Sequence, residues 1–386
     1  MQPEEEMTVS LEGQAGDPEF TPVPTCRGVE HVSMTVPDLD EASAFFANVF
    51  GCQTLYTMGP FSGSTGSFMR RIANADIRAE VRHVRVMRSP FLNIELFDAS
   101  YPGQRPLWPD SLDIGGWHLA GYVDDIDAAI DHLQHFDVFV LDPGKKATGG
   151  DEAGEDACNC HCMTRWGFRF ELLSYPNGRD YERRFPDRLW NPAQPDRGAT
   201  RTFRPTTGSL PTFRGFEHLS ITVADLDEAS RLFVGLLGCE PFYEFEPVID
   251  SHTSDFGAYA NVDVRATPTR VLLLRSPYLN IELVECPAYP GQQRAWPGML
   301  DVGGWHLALY VDDVDAALDH LAKLDIRVLG GKKPAYMYEA GDGAYTVHCL
   351  APWGFYFELV TYPNGRFLAD EFAAPSWHPG HPAAVR

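Results

Sequence analysis

The chain has 386 residues, 44% of them hydrophobic and 22% charged, which fits two or three globular domains with full cores. Its formal net charge of −23 repels nucleic acid and anionic membranes, and no apolar run approaches the ~18–20 residues of a membrane span. Residues 1–25 are acidic and carry no basic-then-apolar leader, so they read as a flexible tail of a cytoplasmic protein. The stretch EHVSMTVPDLDEASAFFANVFGC (30–52) then predicts an alternating strand, a turn at Pro37 and Asp38, and a helix ending at Gly51. VRVMR (84–88) and FLNIELF (91–97) predict two further strands. The same shape returns in WHLAGYVDDIDAAIDHLQHF (117–136), followed by strands at CHCMTRW (160–166) and FRFELLSY (168–175). GPFSGSTGSF (59–68) and KATGGDEAGEDAC (146–158) read as loops.

After a Thr-, Pro- and Gly-rich linker at 193–212, the whole pattern is repeated. GGWHLAGYVDDIDAAIDHL (115–133) and GGWHLALYVDDVDAALDHL (303–321) differ at three positions: Gly121/Leu309, Ile126/Val314 and Ile130/Leu318. FRGFEHLSITVADLDEAS echoes CRGVEHVSMTVPDLDEAS, RSPYLNIEL echoes RSPFLNIEL, WGFYFELVTYPNGR echoes WGFRFELLSYPNGR, and Trp377-His-Pro echoes Trp190-Asn-Pro. The expected organisation is therefore a tail (1–25), a first domain (26–192), a linker (193–212), a second domain (213–379) and a short tail (380–386). The fold class is α+β, with a strand–helix–strands module repeated four times. Whether modules pair within a repeat or between repeats stays open.

Of the eight cysteines, Cys158, Cys160 and Cys162 alternate and fall on one strand face. Zinc sites favour Cys-x2–4-Cys spacing, so these read as buried free thiols, and no disulfide framework is expected. Strand parity singles out a different set. His31 shares a face with Ser33 and Thr35, opposite Val32 and Met34; Glu95 lies opposite Ile94 and Leu96; His118 opposite Leu119; and Glu171 opposite Phe170 and Leu172. The second repeat gives His218, Glu282, His306 and Glu358 by the same logic. Two imidazoles and two carboxylates per repeat suit a divalent metal such as Zn, Ni, Co, Mn or Fe(II).

The phrases NIEL, WHLA-x-YV and WGF-x-FEL, with the residues above, resemble the vicinal oxygen chelate superfamily, which includes glyoxalase I, methylmalonyl-CoA epimerase, extradiol dioxygenases and bleomycin-resistance proteins. The resemblance covers both repeats. It implies paired βαβββ modules whose curled mixed sheets form two glyoxalase-like domains around metal cavities. It also implies metal ligands on the first and last strand of each module: His31, Glu95, His118, Glu171, His218, Glu282, His306 and Glu358. The favoured activity is isomerase, epimerase or lyase chemistry on a small substrate with neighbouring oxygens. A carboxylate (Glu171 or Glu358) would move the proton, and the metal would stabilise an enediolate.

An Fe(II) or Mn(II) ring-cleaving dioxygenase is the alternative. Glu95 and Glu282 exceed its two-His, one-carboxylate set, and His161 and His348 stand where its signature carries Tyr. These two histidines are candidate acids or bases. A small-molecule (antibiotic) binding protein is a further alternative, disfavoured because such homologues generally lack a complete ligand set. Arg88 and Arg275, just before the NIEL strands, are candidate grips on a substrate carboxylate or phosphate. Arg165 in the first repeat and Pro352 in the second mark a difference in the final turn, and the second repeat is expected to be the main catalytic site.

Overall fold

The computed structural model describes residues 23, 25–141, 146–148, 152–183, 189–194, 209–246, 268–367 and 376–379. Most of the acidic tail, the C-terminal tail and most of the linker lie outside the described residues.

The first module comprises β1 (Cys26–Thr35), α1 (Leu39–Asn48), β2 (Gln53–Met58), α2 (Gly63–Ile72), β3 (Glu80–Ser89) and β4 (Leu92–Ser100). The second comprises β5 (Trp117–Val123), α3 (Ile126–Leu133), β6 (Val138–Val140), β7 (Lys146–Ala147), β8 (Cys158–Thr164) and β9 (Arg169–Ser174). The third has β10 (Phe213–Val223), α4 (Leu226–Leu237), β11 (Glu240–Phe245), β12 (Arg270–Arg275) and β13 (Asn280–Glu285). The fourth has β14 (Trp305–Val311), α5 (Val314–Leu321), β15 (Arg327–Pro334), β16 (Tyr345–Leu350) and β17 (Tyr356–Thr361). In every module an aspartate caps the first helix: the side chains of Asp38, Asp125, Asp225 and Asp313 each accept from a backbone N–H in the first turn. The segment expected as a loop at 59–68 instead starts α2. Gly63, Ser64, Thr65 and Gly66 hid a helix whose Met69 and Ile72 are buried.

The modules pair between repeats. One eight-stranded sheet runs β15-β16-β17-β14-β1-β4-β3-β2, joining the first and fourth modules. The other, of nine strands, runs β11-β12-β13-β10-β5-β9-β8-β6 with β7 on β8, joining the third and second. The sheets are mixed: β1 is antiparallel to β14 and parallel to β4, and β10 is antiparallel to β5 and parallel to β13. The repeat boundaries therefore do not coincide with the sheets.

The apolar face of both sheets feeds one core that includes Val32, Met34, Ile94, Leu119, Phe170, Leu219, Ile281, Leu307 and Phe357. Cys158, Cys160 and Cys162 belong to it, and all eight cysteines are free. The duplicated Gly-Gly-Trp lies where the halves meet. Trp117 Nε1 donates to Gly303 O (3.0 Å), Trp305 Nε1 donates to Gly115 O (3.1 Å), and the two indoles pack at 5.3 Å between centroids. A Cβ on Gly304 would sit 1.9 Å from Gly298 O, and one on Gly116 2.1 Å from Asp110 O. Only glycine fits those approaches.

Candidate active sites

Four adjacent central strands of the first sheet carry the predicted residues: Glu358 on β17, His306 on β14, His31 on β1 and Glu95 on β4. Register brings them level, with Ser33 opposite both His306 and Glu95. His31 Nε2 lies 3.3 Å from His306 Nε2, 3.5 Å from Glu95 Oε2 and 3.4 Å from Glu358 Oε2. His306 Nε2 lies 3.8 Å from Glu95 Oε2 and 3.4 Å from Glu358 Oε2. A tetrahedron with edges of about 3.5 Å has its centre ~2.1 Å from each vertex, the bond length of a first-row divalent ion to imidazole or carboxylate.

The second sheet repeats the arrangement with Glu171, His118, His218 and Glu282. Glu171 Oε2 lies 3.4 Å from His218 Nε2 and 3.6 Å from His118 Nε2. His118, His218 and Glu282 each bring one donor atom within 4.8 Å of the others. Neither Nε2 has a hydrogen-bond partner although both atoms are buried, an arrangement that suits a cation between them.

His161 and His348 join these clusters through the neighbouring strand. Each stands directly opposite the last-strand glutamate, with Nε2 3.5 Å from Glu171 Oε1 and from Glu358 Oε1 respectively. Burial pushes His348 down to about 4, against the pull of Glu358, so it is a neutral imidazole near neutral pH. Burial opposes ionisation of Glu171 and Glu358 too, but the surrounding imidazoles hold both well below the usual carboxylate range. Arg275 is not brought to the cluster: it is ion-paired with Glu240 on β11. Arg88 is buried opposite Asn93, two positions along the strand from the Val86–Glu95 pair.

Strand parity missed Glu30 and Glu217. Strict alternation sends them to the opposite face from His31 and His218. The register between β1 and β14 shifts between Val29 and His31, and that between β10 and β5 shifts between Phe216 and His218. Each bulge turns two consecutive side chains toward each other. Glu30 Oε2 then lies 2.5 Å from His31 Nδ1, and Glu217 Oε2 2.6 Å from His218 Nδ1. A carboxylate on Nδ1 fixes the tautomer and aims Nε2 into the site.

The outer carboxylates are held alike. Asn93 and Tyr362 donate to Glu30 (2.9 and 3.0 Å), while Asn280 and Tyr175 donate to Glu217 (3.1 and 3.4 Å). Burial works against the charge of Glu30 and Glu217, yet Arg366 and Arg179, with the paired histidines, keep both carboxyls below the usual range. The duplicated tryptophans complete the frame: the backbone N–H of Trp377 donates to Asn93, and that of Trp190 to Asn280.

A sequence model of the glyoxalase/bleomycin resistance protein/dioxygenase superfamily matches residues 30–158 and 217–346. The chain belongs to this superfamily. The matched stretches hold six of the eight expected ligands and stop before the strands bearing Glu171 and Glu358. The 2-epi-5-epi-valiolone epimerase of an Actinomyces species is 36% identical over 171 residues, 44% of this chain and 91% of that protein. Among solved structures, glyoxalase I from Zea mays is 13% identical with a TM-score of 0.50, over 86% of this chain and 92% of that one. A candidate dioxygenase from Bacillus subtilis is 16% identical with a TM-score of 0.54, over 90% of this chain and 88% of that one. These two structures share the superfamily fold. Among the described residues, no helix is long and apolar enough to cross a membrane.

Proposed function

We propose that the chain is a divalent-metal-dependent epimerase with two composite sites, acting on a polyhydroxylated cyclic ketone whose carbonyl adjoins a hydroxyl-bearing carbon. The observation that carries this reading is a His2Glu2 set completed twice across the repeats, in a chain whose relative epimerises 2-epi-5-epi-valiolone. One set is His31, Glu95, His306 and Glu358; the other is His118, Glu171, His218 and Glu282. A bound divalent ion supplies Lewis acidity toward a carbonyl oxygen and its neighbouring hydroxyl.

The chain's own groups do the rest. Glu30 and Glu217 orient the first-strand imidazoles. Glu358 and Glu171, held ionised, accept the proton from the carbon next to the carbonyl. His348 and His161 face the far oxygen of those carboxylates and steady them. A dioxygenase site needs open positions beside two His and one carboxylate. The second carboxylate in each set, Glu95 or Glu282, favours proton transfer instead.

The test is to load the full chain with single divalent metals and incubate it with 2-epi-5-epi-valiolone in D2O. Deuterium incorporation at the α-carbon with inversion is expected by NMR. Oxygen uptake with a ring-opened product would favour the dioxygenase, and saturable binding without exchange a sequestering protein.

A further inference from the structure

Beside each site lies a partly buried carboxylate that the reading above does not use. The sequence Glu-Ala-Gly occurs at 152–154 and 339–341, nine residues before His161 and His348. In both halves this turn is docked on the Pro-Asn-Gly-Arg turn that follows the last strand. Phe367 N donates to Ala340 O (2.7 Å), and Asp180 N to Ala153 O (2.6 Å). A Cβ on Gly341 would lie 2.1 Å from Gly365 O, and one on Gly154 2.3 Å from Gly178 O. Asn364 and Asn177 tie the same pair of turns together from the side.

This docking sets a glutamate beside a buried arginine. Arg366 reaches Glu339 (3.8 Å) and Glu30 (3.4 Å), and Arg179 reaches Glu152 (3.4 Å) and Glu217 (3.6 Å). The arginines lie over Tyr362 and Tyr175, at 4.3 and 4.2 Å from the ring centroids. A tyrosine from the partner module completes each clamp: Tyr56 donates to Glu339 (2.9 Å) and Tyr243 to Glu152 (2.8 Å). The clamp draws on both repeats, as the ligand sets do. An unbroken line of contacts runs from Glu339 through Arg366 and Glu30 to His31.

We propose that Glu339 and Glu152 are catalytic residues outside the ligand set, the second proton carrier of each site. The proposal rests on the epimerase reading. In the forward step the α-carbon's proton passes to the Glu358 carboxylate. The C–H electron pair forms the carbon–carbon double bond of an enediolate, and the carbonyl π pair moves onto oxygen. In the return step a proton leaves the Glu339 carboxyl for the same carbon on the opposite face, the oxygen pair re-forms the carbonyl, and the epimer results. Glu358 then loses its proton to water and Glu339 regains one. The partial exposure of the Glu339 and Glu152 side chains, 24% and 22%, permits that exchange.

The surroundings favour a retained proton. Burial raises Glu339 to about 7, Arg366 and His31 opposing while Glu95 and Glu358 reinforce it; Tyr56 and Tyr336 also face it. Burial raises Glu152 as well, with Glu282 and Glu171 reinforcing and Arg179 and Tyr243 opposing. Two carboxyls in one site, driven apart in this way, separate into a base and an acid.

Two measurements test the proposal. Infrared spectra of the metal-free full chain should show a protonated carboxyl that titrates near neutral pH and is lost in the Glu339→Gln, Glu152→Gln double variant. An unchanged band overturns the proposal. With metal loaded, the double variant should keep wild-type metal affinity and α-deuterium exchange without inversion through Glu358 and Glu171, and lose roughly 10²–10⁴-fold in epimerisation, with partial recovery in Glu339→Asp. Unimpaired turnover, or loss that tracks loss of metal, overturns it too. A wild-type chain inert toward every such ketone, with the infrared band present, defeats the epimerase reading and leaves the titrating carboxyl standing.

Discussion

The two sites share a His2Glu2 set, outer carboxylates, arginine clamps and docked turns, and they differ in how deeply the imidazoles are set. The side chain of His306 is 0% exposed and that of His118 12%; His348 is 8% exposed and His161 19%. The residue two before the third histidine differs as well: Thr346 donates to Glu358, whereas Asn159 donates to Glu171 (2.6 Å). The final turn carries Pro352 in one site. In the other, Arg165 is ion-paired with Glu41 of α1 (2.6 Å) and Asp137 (3.2 Å). Everything that would hold a metal is kept twice, and what varies is enclosure and the tuning of the last glutamate. The expectation that the second repeat is the main catalytic site has to be restated, because no site belongs to one repeat. The stronger site is expected on the first sheet, where Pro352 stands in the turn before β17 and where His306 and His348 are more buried than His118 and His161.

The largest effect separates composite from repeat-contained sites. His31→Ala with His306→Ala removes two proposed ligands from one site, and His118→Ala with His218→Ala two from the other. Each pair should halve the metal bound per chain by elemental analysis. His31→Ala with His118→Ala takes one ligand from each site and should weaken both. One site at full occupancy in that last variant would contradict the cross-repeat pairing. Replacing Glu171 and Glu358 by Gln together should likewise reduce metal at both sites.

Next come the third histidines. If they support the carboxylates as argued, His348→Ala and His161→Ala should each reduce turnover at their own site by roughly 10²–10⁴-fold with metal retained. The whole-chain loss should be greater for His348→Ala. Equal losses would show that the difference in enclosure has no catalytic consequence, and near-normal turnover in both would return these residues to packing.

The outer carboxylates should matter less. Glu30→Gln and Glu217→Gln keep the shape but weaken the hold on Nδ1, and each should cost about 10–100-fold in metal affinity at its own site. Isothermal titration of the full chain should then show two classes of site where the wild type shows nearly one. An unaltered isotherm would remove these glutamates from the metal's support.

Most of this frame was legible in the sequence. Periodicity gave the modules, and parity placed four of the eight ligand candidates on one face of each sheet, because β1, β4, β5 and β9, with their counterparts β10, β13, β14 and β17, alternate regularly where those residues lie. Glu30 and Glu217 were hidden because a bulge breaks the alternation at those residues, although a Glu preceding His in both repeats was the available signal. Glu152 and Glu339 were hidden in segments whose meaning depends on a tertiary dock, Gly154 on Gly178 and Gly341 on Gly365. The repeated Glu-Ala-Gly at a fixed distance from His161 and His348 was their only trace. Module pairing could not be read at all: near-identical strands such as WHLAGYV and WHLALYV offer the same face to either partner.

The smallest effect tests the seam between the halves. Trp117 and Trp305 each donate an indole N–H to the partner's Gly-Gly carbonyl and pack against one another at a tilt of 35°. Trp117→Phe removes one donor, leaves Gly303 O with one bond fewer in a buried setting, and thins the indole contact; Trp305→Phe does the same to Gly115 O. A buried acceptor left short of its partner costs about 1–3 kcal/mol, so each variant should lose about 2 kcal/mol in denaturant unfolding followed by near-ultraviolet circular dichroism. The two losses should match, since the contacts are reciprocal. The double variant should fall short of their sum, because both indoles share one contact. A large loss in one variant beside none in the other would mean that one half alone sustains the junction, and strict additivity would mean that the two contacts are energetically separate.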